Sequence, residues 1–322
     1  MTSYKTEIGS DINKAADLLM SGELVAIPTE TVYGLAGNAF SATVIKKIFE
    51  VKNRPFTNPL IVHIASVDKL SSIVKQVPDI ALRLLHAFSP GPLTLILPKK
   101  EMIPDFVTAH SSQVAVRIPN HRLCLELLNR LPFPLAAPSA NKFTSISPTN
   151  PDHVMNQLSG DIPYILDGGF CNNGIESTIV GFENDTMLVY RLGAITTEQL
   201  QEIHPNTRLV NDNRVIHSPG MMKYHYAPKT PLLLTENVAG TIQSFSTKKI
   251  AVLYFKQPAV ESAAAYKQVL SINGSFQEAA ANLYKALYEL DRQKPDIIIA
   301  ERLPDIGLGQ SINDRLKRAT SK

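Results

Sequence analysis

Apolar residues recur at Ile12, Ala15, Ala16 and Leu19, a helical spacing that predicts a helix over 11–20 with Ser10 or Asp11 as its cap and Gly22 as its stop. The uninterrupted run Leu24 to Ile27 predicts a buried strand. Helical spacing returns over 42–51, where Val44, Ile45, Ile48 and Phe49 share one face and Lys46, Lys47 and Glu50 the other. Pro55 and Pro59 cannot continue that helix, because each removes a donor and restricts the residue before it. A strand follows over Leu60 to Ile64, then helical stretches at 67–76 and 78–88, and Pro90, Gly91 and Pro92 turn a rigid corner into the strand Leu93 to Leu97. Further strands are expected over Gln113 to Ile118, at 162–166, 177–182 and 186–191, with a helix at 121–130 and a short apolar run from Pro134 to Ala137. The periodicity lapses from about 205 to 230. It resumes with a strand over Ile250 to Phe255, an amphipathic helix over Phe276 to Arg292, a strand over Asp296 to Ala300 and a basic helix at the end. The alternation predicts an α/β layered sheet over 1–205, a linker over 206–230 and a smaller α/β domain over 231–322, built on a right-handed crossover between parallel strands.

Composition narrows this little. A chain of 322 residues exceeds the usual single core, and 44% hydrophobic with 19% charged residues is ordinary for a globular protein. A net charge of +3 permits a nucleic-acid partner without demanding one. The N-terminus has no apolar core of signal-peptide length and no run approaches a membrane span, so a cytoplasmic protein without a membrane partner is expected. Cys124 and Cys171 have no CxxC spacing and are expected to be buried thiols rather than a disulfide framework or zinc ligands.

The common nucleotide and hydrolase signatures GxxxxGK[ST], HExxH and GxSxG are missing, and GLGQSI at 307–312 lacks the third glycine of a dinucleotide fingerprint. Two stretches still have the character of ligand loops. One follows Pro28 as hydroxyl, glycine and tyrosine residues, and the other, PSANKFTSISPT at 138–149, follows the Pro134 to Ala137 run. Lys52, Arg54, Arg117 and Arg191 all fall at element ends, with Ser139, Asn141 and Ser177 in comparable places. A shared anion site would use the arginines as forks and the lysine as a point charge; otherwise these are solvated surface cations. Period two turns His63 away from Leu60, Val62 and Ile64, either as a packed histidine or as a ligand contact. Tyr33 reads as a core aromatic or a stacking platform, and Ser177 and Thr178 face opposite sides of the sheet. Glu30 and Glu176 are the best placed carboxylates, but they form no recognisable acid–base pair.

PTETVYGLA, KNRPFTNPLIVHI, PGPLTLIL, VRIP, APSAN, ISPT, IESTIV and YRLGAI occur here in the order found in YrdC-like threonylcarbamoyl-adenylate synthases, which the chain resembles. SPGMMKYHYAP and GLGQSINDRLKRA are similar to the long two-domain form of that family. The resemblance implies a twisted open mixed sheet with helices, joined to a smaller Rossmann-like α/β domain. It also implies formation of L-threonylcarbamoyladenylate and pyrophosphate from L-threonine, bicarbonate and ATP with Mg²⁺. The product would serve threonylcarbamoyladenosine modification of tRNA beside the anticodon, through a downstream threonylcarbamoyl transferase complex, with double-stranded RNA or tRNA binding as a further family property. Carried over by position, Lys52, Arg54, Ser139 and Asn141 correspond to the basic and polar catalytic tetrad. Thr31, His63, Arg117, Ala137 and Ser177 correspond to the threonine pocket. Arg54, Asn58, Gln113, Ser139, Ser147, Arg191 and the lid residue Tyr226 correspond to the ATP side. The metal ligands are not assigned. The chain departs from the family pattern after SPGM, where Met222 and Lys223 stand in place of a Lys–Tyr pair. Two rivals remain at this stage, a YrdC-like module that binds RNA without chemistry and a carbamoyl-adenylate domain of the hydrogenase-maturation kind.

Overall fold

The structure, a computed structural model, describes residues 4–210, 225–259 and 263–320. In chain order its first part runs β1 (Glu7–Gly9), α1 (Ile12–Met20), β2 (Val25–Ile27), β3 (Gly34–Asn38), α2 (Ala42–Lys52), β4 (Ile61–His63), α3 (Asp79–Phe88), β5 (Leu93–Pro98), β6 (Gln113–Arg117), α4 (Arg122–Arg130), β7 (Leu135–Ala136), α5 (Pro151–Leu158), β8 (Tyr164–Leu166), β9 (Thr178–Glu183), β10 (Thr186–Arg191), α6 (Thr197–Ile203) and β11 (Thr207–Leu209). The second part runs β12 (Leu232–Thr235), α7 (Val238–Ser244), β13 (Ile250–Tyr254), β14 (Tyr266–Val269), α8 (Phe276–Arg292), β15 (Ile297–Glu301) and α9 (Leu308–Ala319).

All eleven strands of the first part form one mixed sheet, ordered β1-β8-β2-β3-β7-β4-β6-β5-β9-β10-β11. The second sheet, β12-β15-β13-β14, is parallel throughout, and β13 lies directly beside β15 as the crossover reading expects. Because β11 pairs with β10, the first unit extends past residue 205.

Alternation decides which residues reach which side of the large sheet. One face carries Leu35, Val62, Leu95, Val116 and Val180, packed under α2, α3 and α5 in the main core. On the other face, α1 and α4 cover only the β8, β2, β3 and β7 end, where Ala15, Leu19, Cys124 and Leu127 meet Val25, Ile27 and Leu135. Across β4, β6, β5 and β9 that same face carries Ile61, Ala115, Ile96 and Ile179, with His63, Arg117 and Thr94 at the strand ends. Helices leave this half of the sheet uncovered, and the candidate site lies on it.

α2 delivers the first cations. Ser41 caps its start by accepting from the Val44 N–H, and its four expected apolar residues are buried. Each such burial contributes ~1.5–3 kcal/mol. Asn53 ends the helix in the left-handed conformation at φ 53°, which turns the chain back after Lys52. α2 sits so close to β3 that a Cβ on Gly37 would lie 2.6 Å from Val44 Cγ1. That approach is why a strand with the composition GLAGN exists here, where the sequence suggested only a loop. The helical stretch expected at 67–76 is instead a short 3₁₀ segment, Val67–Ser72. β1, α5, α6, β11, β12, α7 and β14 are elements that the sequence reading did not anticipate. Among the described residues no helix is long and apolar enough to cross a membrane.

Candidate active site

Two loops close over the uncovered half of the sheet. Thr29 Oγ1 accepts from the Thr31 and Val32 N–H groups, folding PTETV into a hydroxyl-capped turn. The second loop is stitched to the first: the Leu35 N–H donates to Pro138 O at 2.7 Å and the Ala140 N–H to Tyr33 O at 2.8 Å. Tyr33 is a core aromatic, fully buried, with its hydroxyl donating to Gly169 O. The Ala137 N–H donates to Ile61 O, which fixes that backbone at the sheet edge.

The resulting cavity encloses about 50 Å³. Thr29, Thr31, His63, Arg117, Ala137, Arg54, Ser139, Glu176, Arg191, His225 and Tyr226 are among the residues that line it. Eight residues named from the sequence therefore converge on it, among them three arginines. The volume suits a few water molecules and no nucleotide.

Arg117 NH1 donates to Thr31 Oγ1 at 2.9 Å, Nε donates to Gly91 O, and NH2 lies 2.7 Å from Glu30 Oε1. That last approach is ionic and poorly aligned for a hydrogen bond, so neither Glu30 oxygen has a hydrogen-bonded partner among the described residues. Arg54 is held differently, by neutral oxygens: Nε donates to Asn58 O, NH2 to Asn58 Oδ1 at 2.6 Å and to Pro59 O at 2.8 Å. Burial pulls the Arg54 guanidinium down to about 9, with Tyr226 opposing and Arg191 adding to the effect. A buried cation whose partners among the described residues are neutral favours an incoming anion. Arg191 donates to the Ser177 carbonyl and hydroxyl, and the Ser177 hydroxyl is also 2.7 Å from Thr94 Oγ1. Thr178 faces the other way and donates to Ile195 O, as alternation requires.

Burial first, then the Arg117 charge, pushes His63 down to about 3. A folded pKa below the ordinary value of ~6.5 means the neutral ring contributes stability that is complete above that value and is lost as pH falls toward 3. The urea midpoint is expected to drop between pH 6.5 and 4, and a His63→Gln variant to show a shallower drop; identical slopes would remove His63 as a source.

Six residues named from the sequence do not line the cavity. Lys52 is buried, with its ammonium donating to Ser139 O and, at 2.6 Å, to Asn141 O, so it grips the second loop from behind. Asn58 orients Arg54, and Asn141 donates to Lys142 O and Ser145 O within its own loop. Ser147 donates to Glu176 Oε1 at 2.7 Å, and Ser177 anchors Arg191. Gln113 is exposed at the opposite end of β6 from Arg117, roughly 13 Å along the strand at ~3.3 Å per residue. It shares its sheet face with Ala115 and Arg117. Thr29, Val32, Ile61, Pro138 and His225 line the cavity without having been named as site residues, and Thr29 and His225 are the polar ones among them. Tyr226 is buried at φ 64°, 4.1 Å from the His225 ring and stacked 5.8 Å from Tyr284, so the HYAP segment straps the second domain to the site. The preceding SPGMMKY stretch, with Met222 and Lys223, lies outside the described residues. Both cysteines are buried and free, and burial raises their thiol pKa, that of Cys124 to about 12, so neither is poised to react.

Comparison with known proteins follows the same outline. Residues 17–193 match the Sua5, YciO and YrdC family model, described as telomere recombination, and residues 195–321 match the threonylcarbamoyl-AMP synthase C-terminal domain. The threonylcarbamoyl-AMP synthase of Bacillus subtilis is 41% identical over 319 residues, covering 96% of this chain and 92% of its own. That of Pyrococcus abyssi is 37% identical over 318 residues, covering 96% and 94%. The crystal structure of P. abyssi Sua5 complexed with L-threonine superimposes with a TM-score of 0.91 at 35% identity, covering 98% of this chain and 97% of that one. E. coli YciO, at 21% identity and a TM-score of 0.52 over 60% of this chain and 96% of its own, shares the fold of the first unit.

Proposed function

The chain belongs to the threonylcarbamoyl-AMP synthase family, and from that premise we propose that it joins L-threonine, bicarbonate and ATP into L-threonylcarbamoyladenylate and pyrophosphate. The observation that carries this reading is the convergence of three buried arginines on one small cavity, one of them hydrogen-bonded, among the described residues, to neutral oxygens alone. All three substrates are anionic or carry a carboxylate, and such a site neutralises them together.

In this reading Arg117, fixed by Thr31 and Glu30, takes the threonine carboxylate, with neutral His63 and the Ala137 backbone beside it. The amine attacks bicarbonate carbon and water departs, leaving a carbamate. A carbamate oxygen then attacks the α-phosphorus, and the bond from that phosphorus to the bridging oxygen breaks as pyrophosphate leaves with the electron pair, its charge met by Arg54, Ser139 and Arg191. The chain's work is positioning and charge neutralisation, which explains a site without a nucleophilic triad. The apolar strip Ile61, Ala115 and Ile96, buried in this structure, extends along the helix-free sheet face toward Gln113 and is proposed as a bed for the nucleoside. Because the cavity has no room for a nucleotide, the strap carrying His225 and Tyr226 moves to admit it. Among the described residues no group of three His, Cys, Asp or Glu side chains could hold a metal ion, so Mg²⁺ is proposed to arrive as part of the nucleotide substrate, ligated by phosphate oxygens and water. A cytoplasmic location and transfer of the product to tRNA by a separate transferase complete the proposal.

The test is pyrophosphate release from ATP that requires both L-threonine and bicarbonate; release absent while tRNA binding persists would favour a binding module instead. Arg54→Ala removes a charge-assisted phosphate contact of ~1.5–3 kcal/mol, so kcat/KM for ATP is expected to fall about tenfold to over a hundredfold with little change in threonine affinity. Unchanged turnover in steady-state assays would remove Arg54 from the nucleotide side.

A further inference from the structure

Glu176 is a carboxylate on the wall of a cavity otherwise built for anions. It is buried, and every donor on it is internal. Oε1 accepts from Ser147 Oγ at 2.7 Å and from the Tyr284 hydroxyl at 3.0 Å; Oε2 accepts from the same hydroxyl at 2.9 Å and from Arg315 Nε at 2.9 Å. Tyr284 belongs to α8 and Arg315 to α9, so two of the three donors come from the second domain.

Arg315 is itself only 1% exposed. Its NH2 donates to Leu192 O at 2.6 Å, its NH1 to Asp314 Oδ2 at 2.8 Å, and its guanidinium lies 5.2 Å from the Tyr226 ring. Packing alone gives no reason for this arrangement. A buried ion pair is on average no more stabilising than apolar residues of the same shape, and the surrounding interface already contains Ile175, Ile146, Leu283 and Ile312. Electrostatics does give one. An unpaired Glu176 would add a negative charge to a cavity that receives a triphosphate and two further anions. Burial on its own would raise the Glu176 carboxyl, but Arg315, then Arg191 and Ser147, hold it below the ordinary range, so the acid is ionised and compensated.

We propose that Arg315 and Tyr284 are positioning residues for the nucleotide site: they bind Glu176 from the second domain, cancel its charge toward the cavity, and so make anion binding in the first domain depend on the docked second domain. This rests on the synthase reading above. It gives the second domain an electrostatic part in catalysis in addition to covering the site.

The experiment uses the full chain. Threonine- and bicarbonate-dependent pyrophosphate release by the unaltered protein is measured first, and its absence would count against the synthase reading. Arg315→Met keeps bulk and removes the cation. Its KM for ATP is expected to rise about tenfold or more, the scale of one unit charge acting at ~10 Å through an effective dielectric near 20, while KM for threonine stays within about twofold. Glu176→Gln combined with Arg315→Met removes both charges and is expected to bring KM for ATP back to within about threefold of the unaltered value. Tyr284→Phe, which deletes only the hydroxyl, is expected to raise KM for ATP by a smaller factor without lowering kcat. A double variant as impaired as Arg315→Met, at an equal melting temperature, would overturn the proposal, because the defect would then not act through the Glu176 charge. Should Arg315→Met alone fail to fold, the double variant and Tyr284→Phe decide in the same way: near-normal KM in the double variant with a raised KM in Tyr284→Phe supports it, and normal KM in Tyr284→Phe overturns it.

Discussion

Arg117→Ala is expected to lower kcat/KM for L-threonine by at least about a hundredfold and to destabilise the fold by ~3–5 kcal/mol. Two effects combine. A threonine carboxylate loses a charged fork, each bond of which contributes ~1.5–3 kcal/mol. Glu30 loses its only counter-ion among the described residues while remaining buried, a change that is far more costly than removing the pair together. The two effects separate experimentally. Arg117→Met combined with Glu30→Gln is expected to recover most of the stability in urea unfolding and none of the threonine-dependent rate. A double variant that regains normal threonine kinetics would show that Arg117 serves the fold alone.

The second large effect is expected at Lys52, where the resemblance and the structure give different physical roles. Family position implies a cation on phosphate or carbamate. The observed ammonium is spent on Ser139 O and Asn141 O, behind the loop that carries Ser139 into the cavity. Burial, with Arg54 and Lys142 adding, holds its pKa well below the ordinary lysine range. Lys52→Met would take the ammonium donor from Asn141 O and leave Ser139 O to the Asn141 N–H, a loss of two bonds that costs roughly 3 kcal/mol or more at ~1.5–3 kcal/mol per charge-assisted bond. The loop would lose its register with β3, so kcat/KM is expected to fall at least about a hundredfold for both substrates alike. Initial rates at varied ATP and varied threonine, with a urea melt, check this. A selective rise in KM for ATP with unchanged stability would instead put Lys52 on the nucleotide.

Much of the site was legible because its chemistry is written in residue types at element ends. Arg54, Arg117 and Arg191 are each where a strand or helix stops, and the two hydroxyl-rich loops follow strands. His63 illustrates the limit: period two placed it on the open face, but a lone strand histidine is compatible with packing or with ligand contact, and only burial beside Arg117 fixed its neutral state. Ser147 and Ser177 were named as ligand contacts, and the structure adds that their hydroxyls bind Glu176 and Arg191. β3 escaped notice because glycines that let α2 approach are indistinguishable, in sequence, from glycines that make a turn.

By itself the sequence determined the alternation of helices and strands, the break near the linker, the cations available and, through eight ordered motifs, the family. Those properties are local: periodicity, capping and residue chemistry act within a few positions of the chain. Tertiary structure alone decided which half of the sheet stays uncovered, that Lys52 faces a loop rather than the cavity, and that Glu176 is answered by Arg315 and Tyr284 more than a hundred residues away. Charge compensation depends on distance through space and on burial, and neither is written at any one place along the chain.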